Sequence, residues 1–524
     1  MKLMKKSLLV LALTSMSLVG CGKEKGPATV DPNKEVTVVW WNNYKQPEIS
    51  DKLTEEEARK KATYTEYYFA KDAIEAFHTE HPNITITQEY KGAYKEIAKA
   101  VKAGIETGNI PTIVSTYQDD VADYIDEEVC YDMSAFGKQL EADADFNQNY
   151  LNIEKSIYGG KYYSLPYSKS GETLAINQTV FDLVGAGKAG TDTKTKDGKA
   201  AYTAPKAVAS KTKYEVPENF YEMIEVARKM KADFPETFAN QKNADGYFTA
   251  VPFCWDSAEN MFITLLENAG IGYTDGTKKD TAAKHIWNNA KAKELMVQLK
   301  KWNNEGLIAT QNQLPETDAT KHYHEYSSNM VTAGKIFMAV SSTAGSSYFA
   351  TDGGFVASMN HGLNWAKDTK AKDAKVISQG PSLTFLKNAD EDVNLAAGEF
   401  YKFLTTKENT AKLCVAKNYF PLRASSYEVE SVKSYTDAAT AGVTADKTYA
   451  EKRKTYTGES IKLNEAYTAK NNYFMSDVFV GSSATRTAVG EIVGDVFKSD
   501  AVSDADITAA VEQAFNKAYT KITA

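Results

Sequence analysis

Two short runs of acids are the first residues in this chain whose types could do chemistry. Gln118, Asp119 and Asp120 form one, and Asp126, Glu127 and Glu128 the other. A glycosidase needs two carboxyl groups held a fixed distance apart across a cleft, and acids adjacent in sequence do not imply that arrangement. Both runs read as solvated faces. The stretch "KHYHEY" sets His322 and His324 on one side of a strand, where they could hold a metal, but no third ligand accompanies them. There is no GxSxG elbow, no phosphate loop of Walker type and no GxGxxG opening a helix after a strand. No catalytic set emerges, so the chain is not expected to be an enzyme, and no metal or cofactor is expected. Aromatics are abundant instead: 31 tyrosines and 6 tryptophans supply flat apolar faces with polar tips, suited to stacking on sugar rings while hydroxyls find partners.

The elements that must position such residues begin at "EVTVVWW", a strand by its β-branched and aromatic content. "TEEEARKKATYTEYYFAKDAIEAFHTEHP" then offers an N-cap threonine, acids in the first turn and apolar residues at helical spacing, closed by Pro82. "NITITQEY" reads as a second strand, "YKEIAKAVKAGIETGN" as an amphipathic helix and "IPTIVSTY" as a third strand. This β-α-β-α-β order with short connections predicts right-handed crossovers and a mainly parallel sheet covered on both faces. Ligands of such sheets bind beyond the carboxyl ends of the strands, where Trp40, Trp41, Asn42 and Asn43 lie.

Further along, "YYSLPYSKSGETLAIN" is extended and rich in small polar residues. Residues 185–214, rich in Lys, Thr, Ala and Gly, read as a solvated surface insertion. Helical segments, the strand-like "GKIFMAVSS" and a second extended crossing, "AKVISQGPSLTFLK", follow. "DVNLAAGEFYKFLTTKENTAKLCVA" reads as a helix, 425–460 as a polar stretch, and the remainder as helical.

The N-terminus is read as an export signal. Lys2, Lys5 and Lys6 precede an apolar run, Leu8 to Val19, too short to span a bilayer comfortably. "LVGC" resembles the lipobox of bacterial lipoproteins, which implies lipidation of Cys21, a mature chain starting there, and a polar spacer over 21–34. A multiply acylated cysteine anchors stably. Removing residues 1–20 moves the formal charge from -8 to -11, which argues against a nucleic-acid partner. Cys130, Cys254 and Cys414 are isolated and odd in number, so one pair at most could bridge.

Several stretches, taken in order, resemble the extracellular solute-binding proteins of ABC importers, in the group containing the maltose- and glycerol-3-phosphate-binding proteins. They include "QEYKGAYKEIAKAVKAGIETGNIPTIVSTYQDDVADY", "YYSLPYSKSGETLAIN", "GKIFMAVSSTAG", "EFYKFLTTKENTAKLCVAKNYFPLR" and "GSSATRTAVGEIV". The resemblance covers nearly the whole mature chain. It implies an α/β, two-lobed clamshell of the periplasmic-binding-protein type, each lobe a mainly parallel sheet flanked by helices, with the ligand cleft between the lobes. The lobes are expected over 35–168 plus 382–425 and over 169–381 plus 426–524. Chain crossings are expected near 165–172 and 377–384, with a third around 425, and hinge closure on the ligand.

Carried over residue by residue, the resemblance implies that Tyr94 in "YKGAY", Ser170 in "PYSKSG", Ser342 or Thr343, Gly380 in "QGPSL", Tyr419 in "KNYFPLR" and Arg486 in "SATR" contact the ligand. Gln118 stands where the glycerol-3-phosphate-binding relatives use a glutamate, keeping hydrogen bonds and losing the charge. Gly171-Glu172 departs from their pattern. Trp41 aligns with their tryptophan at the first strand end, so Trp40 is expected under a helix and Trp41, with Asn42 and Asn43, near the cleft. The implied function is capture of a carbohydrate or glycerol-phosphate-type solute by an exported, membrane-anchored monomer that delivers it to permease subunits. A guanidinium at Arg486 suits phosphate or carboxylate, but the maltose-binding side of the family carries an arginine in a similar place, so the ligand's charge stays open. The alternatives are a surface hydrolase of glycosyl or phosphodiester substrates, or a sensor or adhesin without a transporter.

Overall fold

The computed structural model describes residues 29–47, 54–60, 65–183, 186–194, 200–208, 213–318 and 323–523. The leader, Cys21 and His322 lie outside the described residues. Strand β1 (Val36–Asn42) has a core on each side. Val36, Val38 and Trp40 share one with Phe69, Ala73 and Phe77, which recur at helical spacing along α1 (Thr65–Glu80). Val39 and Trp41 turn to the other face, against Ile97 and Val101 of α2 (Tyr94–Thr107), while β2 (Ile84–Tyr90) pairs beside β1 in the sheet. Gly108, at a left-handed φ of 72°, ends α2 by turning its N–H back onto the carbonyls of Gly104 and Ile105. β3 (Ile113–Thr116), α3 (Gln118–Asp126), α4 (Gln148–Ile157) and β4 (Ser164–Pro166) complete this part of the chain.

β5 (Glu172–Asn177), β6 (Phe253–Trp255), α5 (Ala258–Asn268), β7 (Ile308–Thr310), β8 (Met338–Ser342) and β9 (Ala357–Asn360) come next, before β10 (Ser382–Phe385). Two five-stranded sheets result, ordered β2-β1-β3-β10-β4 and β7-β6-β8-β5-β9. Each is mixed, with four strands running one way and one reversed. β2, β1 and β3 run parallel, as do β7, β6 and β8, whereas β10 and β4, and β5 and β9, pair antiparallel. The crossover rule fixes direction only for strands joined through a helix within one sheet. β4, β5 and β10 lie at crossings between the sheets and escape it.

The C-terminal half is more helical than its composition suggests. The segment read as one helix breaks into α6 (Glu391–Leu404) and α7 (Lys407–Lys417), because Thr405 bonds back to the Tyr401 carbonyl and Thr406 caps the new helix at Asn409 N. The stretch read as polar forms α8 (Glu430–Ala441) and α9 (Tyr449–Lys470). α9 opens with a Thr448–Glu451 capping box. Its buried side includes Thr455, Thr457, Ser460 and Asn464, so an apolar stripe is absent from the sequence. α10 (Ser482–Lys498) and α11 (Asp504–Thr523) pack with α5 around the second sheet's core.

Two regions read as solvated are partly docked. Within 185–214, Tyr202 is fully buried, stacks on Phe355 with ring centroids 4.7 Å apart, and donates to the Ala189 carbonyl at 2.5 Å. The end of the spacer is held as well. Lys34 bridges Asp390 (2.5 Å) and Asp392 (2.8 Å) at the start of α6, and Asp31 N donates to Asp392 at 3.0 Å.

Candidate functional site

Two extended segments cross between the sheets side by side. Ser168 N donates to the Pro381 carbonyl (3.1 Å), and Ser170 and Gln379 exchange backbone hydrogen bonds at 3.0 and 2.9 Å. Gly380 sits in this ribbon at φ +88°, and a Cβ there would fall 1.8 Å from the Ser168 carbonyl oxygen. Close approach of the two crossings therefore demands glycine at 380. Beneath the ribbon lies Lys169, which donates to Glu154 (3.1 Å), the Ser382 hydroxyl (2.8 Å) and the Gly380 carbonyl (3.4 Å).

On the first-sheet side the ribbon meets a group of tyrosines. Tyr44, Tyr117 and Tyr167 each follow the carboxyl end of a strand: β1, β3 and β4. Tyr94 opens α2 and packs edge-on against Tyr117, centroids 4.8 Å apart. Tyr419 arrives from the end of α7, where Asn418 adopts a left-handed φ of 61°. The Asn418 amide is pinned to Ala344 O (3.1 Å) and Ser347 Oγ (3.0 Å), which fixes the turn. Burial pushes the hydroxyls of Tyr44, Tyr94 and Tyr419 well above the usual tyrosine range, with neighbouring tyrosines raising them and the Ser168 hydroxyl on Tyr44 and the Tyr94 hydroxyl on Tyr419 opposing the shift. They stay neutral, each able to donate and accept. The hydroxyls of Tyr94, Tyr167 and Ser168 are buried and make no well-formed hydrogen bond, their nearest polar groups being other hydroxyls of the cluster, Tyr419 for Tyr94 and Tyr44 for Tyr167 and Ser168; the Tyr273 hydroxyl on the opposite side is buried in the same way.

That opposite side carries Arg486, in the first turn of α10. Its guanidinium donates to Asn260 Oδ1 and lies 3.8 Å from Asp119 Oδ2, with the side chain 27 % exposed. Glu259, beside Asn260 in the first turn of α5, adds a second negative charge, and both acids hold the guanidinium protonated against the opposing effect of burial. Further contacts bring α10 onto α3: Ser482 Oγ donates to the Asp119 carbonyl (2.9 Å) and Gly481 N to Asp123 Oδ1 (3.1 Å). Glu172 closes the floor. Buried, it accepts from Trp255 Nε1 (3.0 Å) and Thr264 Oγ1 (3.3 Å), and burial lifts its carboxyl to about 7.

Of the residues proposed from sequence, Tyr94, Tyr419, Ser170, Ser342 and Arg486 stand around this space. Ser342 Oγ reaches Ser170 Oγ at 3.3 Å, while the fully buried Thr343 commits its hydroxyl to Gly171 N (3.0 Å), so the half-buried Ser342 is the more accessible of that pair. Gln118 turns inward, its amide nitrogen on Glu154 (2.6 Å) and Ser382 (2.8 Å). Asn42 is fully buried, accepting from Tyr44 N (2.9 Å) and reaching Gln88 (3.3 Å). Trp41 is buried among Ile97, Val101 and Val114, with the Lys91 ammonium 4.3 Å above its ring.

Asp119 and Asp120 correct the expectation of a solvated face. Both are buried at the start of α3, where burial raises each carboxyl, Asp120 to about 6. The run at Asp126–Glu128 is exposed. His324 uses Nδ1 on the Leu314 carbonyl (2.8 Å), and among the described residues no group of three His, Cys, Asp or Glu could hold a metal. Cys130, Cys254 and Cys414 are buried and unbridged. Two surface grooves, of about 710 and 600 Å³, lie away from this space, one beside Tyr221 and Lys367, the other beside Tyr68 and Asp72.

Sequence reasoning missed Tyr44, Tyr117, Tyr167, Ser168, Asp119, Glu259 and Tyr273. The three tyrosines carried a usable signal, because each lies within two residues of the carboxyl end of a strand, where ligands of such sheets bind.

This arrangement of crossings, tyrosines and a cross-cleft arginine has counterparts. Residues 72–440 match the bacterial extracellular solute-binding protein family. The chain belongs to that family. Among relatives, the sn-glycerol-3-phosphate-binding periplasmic protein UgpB of Escherichia coli O1:K1 is 23 % identical over 365 residues, covering 67 % of this chain and 70 % of that one. UgpB of Mycobacterium tuberculosis, solved with glycerophosphocholine, superposes with a TM-score of 0.60 at 13 % identity over 93 % of this chain and 98 % of that one. The maltose/maltodextrin-binding domain MalE of Bdellovibrio bacteriovorus, bound to maltotriose, gives 0.57 at 14 % identity over 93 % and 100 %. The two-sheet architecture is thus that of a binding-protein clamshell, and the role of this solute-binding protein in an ABC importer is capture of its solute.

Proposed function

We propose that this solute-binding protein takes up a carbohydrate or glycerol-phosphate-type solute between lobes 35–168 plus 382–425 and 169–381 plus 426–524, and delivers it to permease subunits at the membrane. The observation that carries this reading is the cluster of buried hydroxyls of Tyr44, Tyr94, Tyr167, Ser168 and Tyr419 beside the crossings, of which those of Tyr94, Tyr167 and Ser168, like that of Tyr273, make no well-formed hydrogen bond to the protein outside the cluster. A buried hydroxyl left unpaired costs about 1–3 kcal/mol. Several of them gathered where two lobes meet indicate groups whose partners arrive with a ligand. The contacting residues are Tyr94, Ser170, Ser342, Tyr419 and Arg486, with Tyr44, Tyr117 and Tyr167 added. Trp41, Asn42, Gln118, Thr343 and Gly380 support the walls and the crossings.

A ligand present at one hundred times its dissociation constant stabilises the folded state by about 2.7 kcal/mol. A thermal-shift screen of neutral sugars, glycerol 3-phosphate and its diesters should expose such a gain; silence from every compound rejects the reading. Export and lipid anchoring through Cys21 belong to the same proposal. Cys21→Ser should shift the protein from the membrane fraction to the soluble fraction, and unchanged fractionation rejects the anchor.

A further inference from the structure

Anions are drawn to unpaired cations and to the amino ends of helices, where backbone N–H groups point outward. The cleft contains both features, and in each case the protein supplies the negative charge itself. Arg486 has Asp119 at 3.8 Å across the cleft and Glu259 beside it on its own side. Lys169 has Glu154 at 3.1 Å, and Lys417, two residues before Tyr419, has Glu66 at 3.0 Å.

The helix ends repeat the pattern. α3 begins with Asp119 and Asp120 in its first turn, and α5 with Glu259. α10 has no acid in its own first turn, but Gly481 N just before it is met by Asp123 from α3 at 3.1 Å. A phosphate entering this space would face carboxylates at each of these positions, and like charges repel where water is excluded.

The hydrogen-bonding groups tell the complementary story. The Tyr94, Tyr167 and Tyr273 hydroxyls make no well-formed hydrogen bond, and among the described residues the Asp119 carboxylate has no closer side-chain partner than the guanidinium and Arg486 makes a single hydrogen bond. Each cation of the space is therefore already countered by carboxylate, and donors and acceptors remain for an uncharged ligand.

Resting on the carbohydrate or glycerol-phosphate reading, we infer that the solute is an uncharged polyhydroxyl compound, a neutral sugar or oligosaccharide, and that Asp119 is the residue that excludes phosphate esters. A sugar hydroxyl can donate to Asp119 and accept from Arg486 at once, which a phosphate oxygen cannot.

Isothermal titration of the purified protein with maltose, maltotriose, trehalose, glycerol 3-phosphate and glycerophosphocholine tests this. A neutral sugar that binds while both phosphate esters give no heat is the expected result. Tighter binding of either phosphate ester than of every sugar overturns the inference and leaves the broader reading standing, whereas silence from all five overturns the broader reading. Asp119→Asn removes the carboxylate charge and keeps its shape. That variant should gain affinity for glycerol 3-phosphate by about tenfold, some 1.4 kcal/mol, and unchanged phosphate binding by the folded variant overturns the role given to Asp119. The wild-type panel decides the charge of the solute even if this variant fails to fold.

Discussion

Lys169 and Arg486 are two cations in one cleft region, and their surroundings differ in kind. Lys169 is 2 % exposed and has all three ammonium hydrogens engaged, by Glu154, Ser382 and Gly380. Arg486 is 27 % exposed, with one hydrogen bond, to Asn260, and a looser pairing with Asp119. A charge whose donors all end on protein holds the fold, here by tying α4 to both crossing segments. A charge whose donors are left open serves something that comes and goes. The pair separates the rigid hinge from the responsive cleft within one region of the chain.

The largest effect expected from breaking this comparison is at Lys169. Lys169→Met leaves Glu154 buried without its counter-charge, and removing one partner of a buried pair costs about 3–5 kcal/mol. Chemical denaturation should show that loss; a change below about 1 kcal/mol would mean the network is not structural. Trp40→Ala belongs in the same range, about 3–5 kcal/mol, since Trp40 is fully buried against Tyr44, Tyr167 and Phe400 and donates to Ser115 at 3.0 Å.

Glu172 gives a pH-dependent version of the contrast. Its carboxyl rises from the ordinary 4.5 to about 7 on burial. The native protein then keeps a proton that the unfolded chain has already lost. The associated stability is fully present below the unfolded value, and is lost as pH rises through the folded one. At about 1.4 kcal/mol per pH unit, the loss over that window is on the order of 3 kcal/mol. Glu459, whose carboxyl burial also lifts to about 7, acts in the same direction. Glu172→Gln should flatten the decline of Tm between roughly pH 5 and 7 in part; an unaltered slope would place the pH dependence elsewhere.

The smallest stability effect should come from Arg486→Ala, about 1 kcal/mol or less, because the side chain is partly open and Asp119 can take up a proton in its absence. Binding should fall by at least about tenfold in the same variant. Loss of stability without loss of binding would make Arg486 a second Lys169.

Much of the architecture is legible in the sequence because one periodicity governs each element. Strand β1 and helices α1 and α2 announce themselves through β-branched content and the spacing of apolar residues, whereas Tyr419 and Arg486 are singled out by the family resemblance and by no periodicity. What escapes depends on contacts distant in sequence. The antiparallel strands follow from how two crossings pair at Ser170 and Gln379, more than two hundred residues apart. Asp119 looks like a surface acid until α10 packs over it from the far end of the chain. Neighbouring tryptophans do point to opposite faces, but Trp41 meets a second core and the stem of Lys91, so Trp41→Ala is expected to lower stability rather than binding alone. α9 hides because Thr455, Thr457, Ser460 and Asn464 share its buried side with Tyr456, Ile461, Leu463 and Tyr467.

The most direct test is a crystal structure of the protein with the tightest ligand from the sugar and phosphate panel. The account predicts ligand oxygens within hydrogen-bonding distance of the Arg486 guanidinium and the Tyr94 and Tyr167 hydroxyls, with Lys169 still on Glu154, Ser382 and Gly380. A ligand seated in either surface groove, beside Tyr221 or beside Tyr68, or one that pulls Lys169 off Glu154, would contradict it.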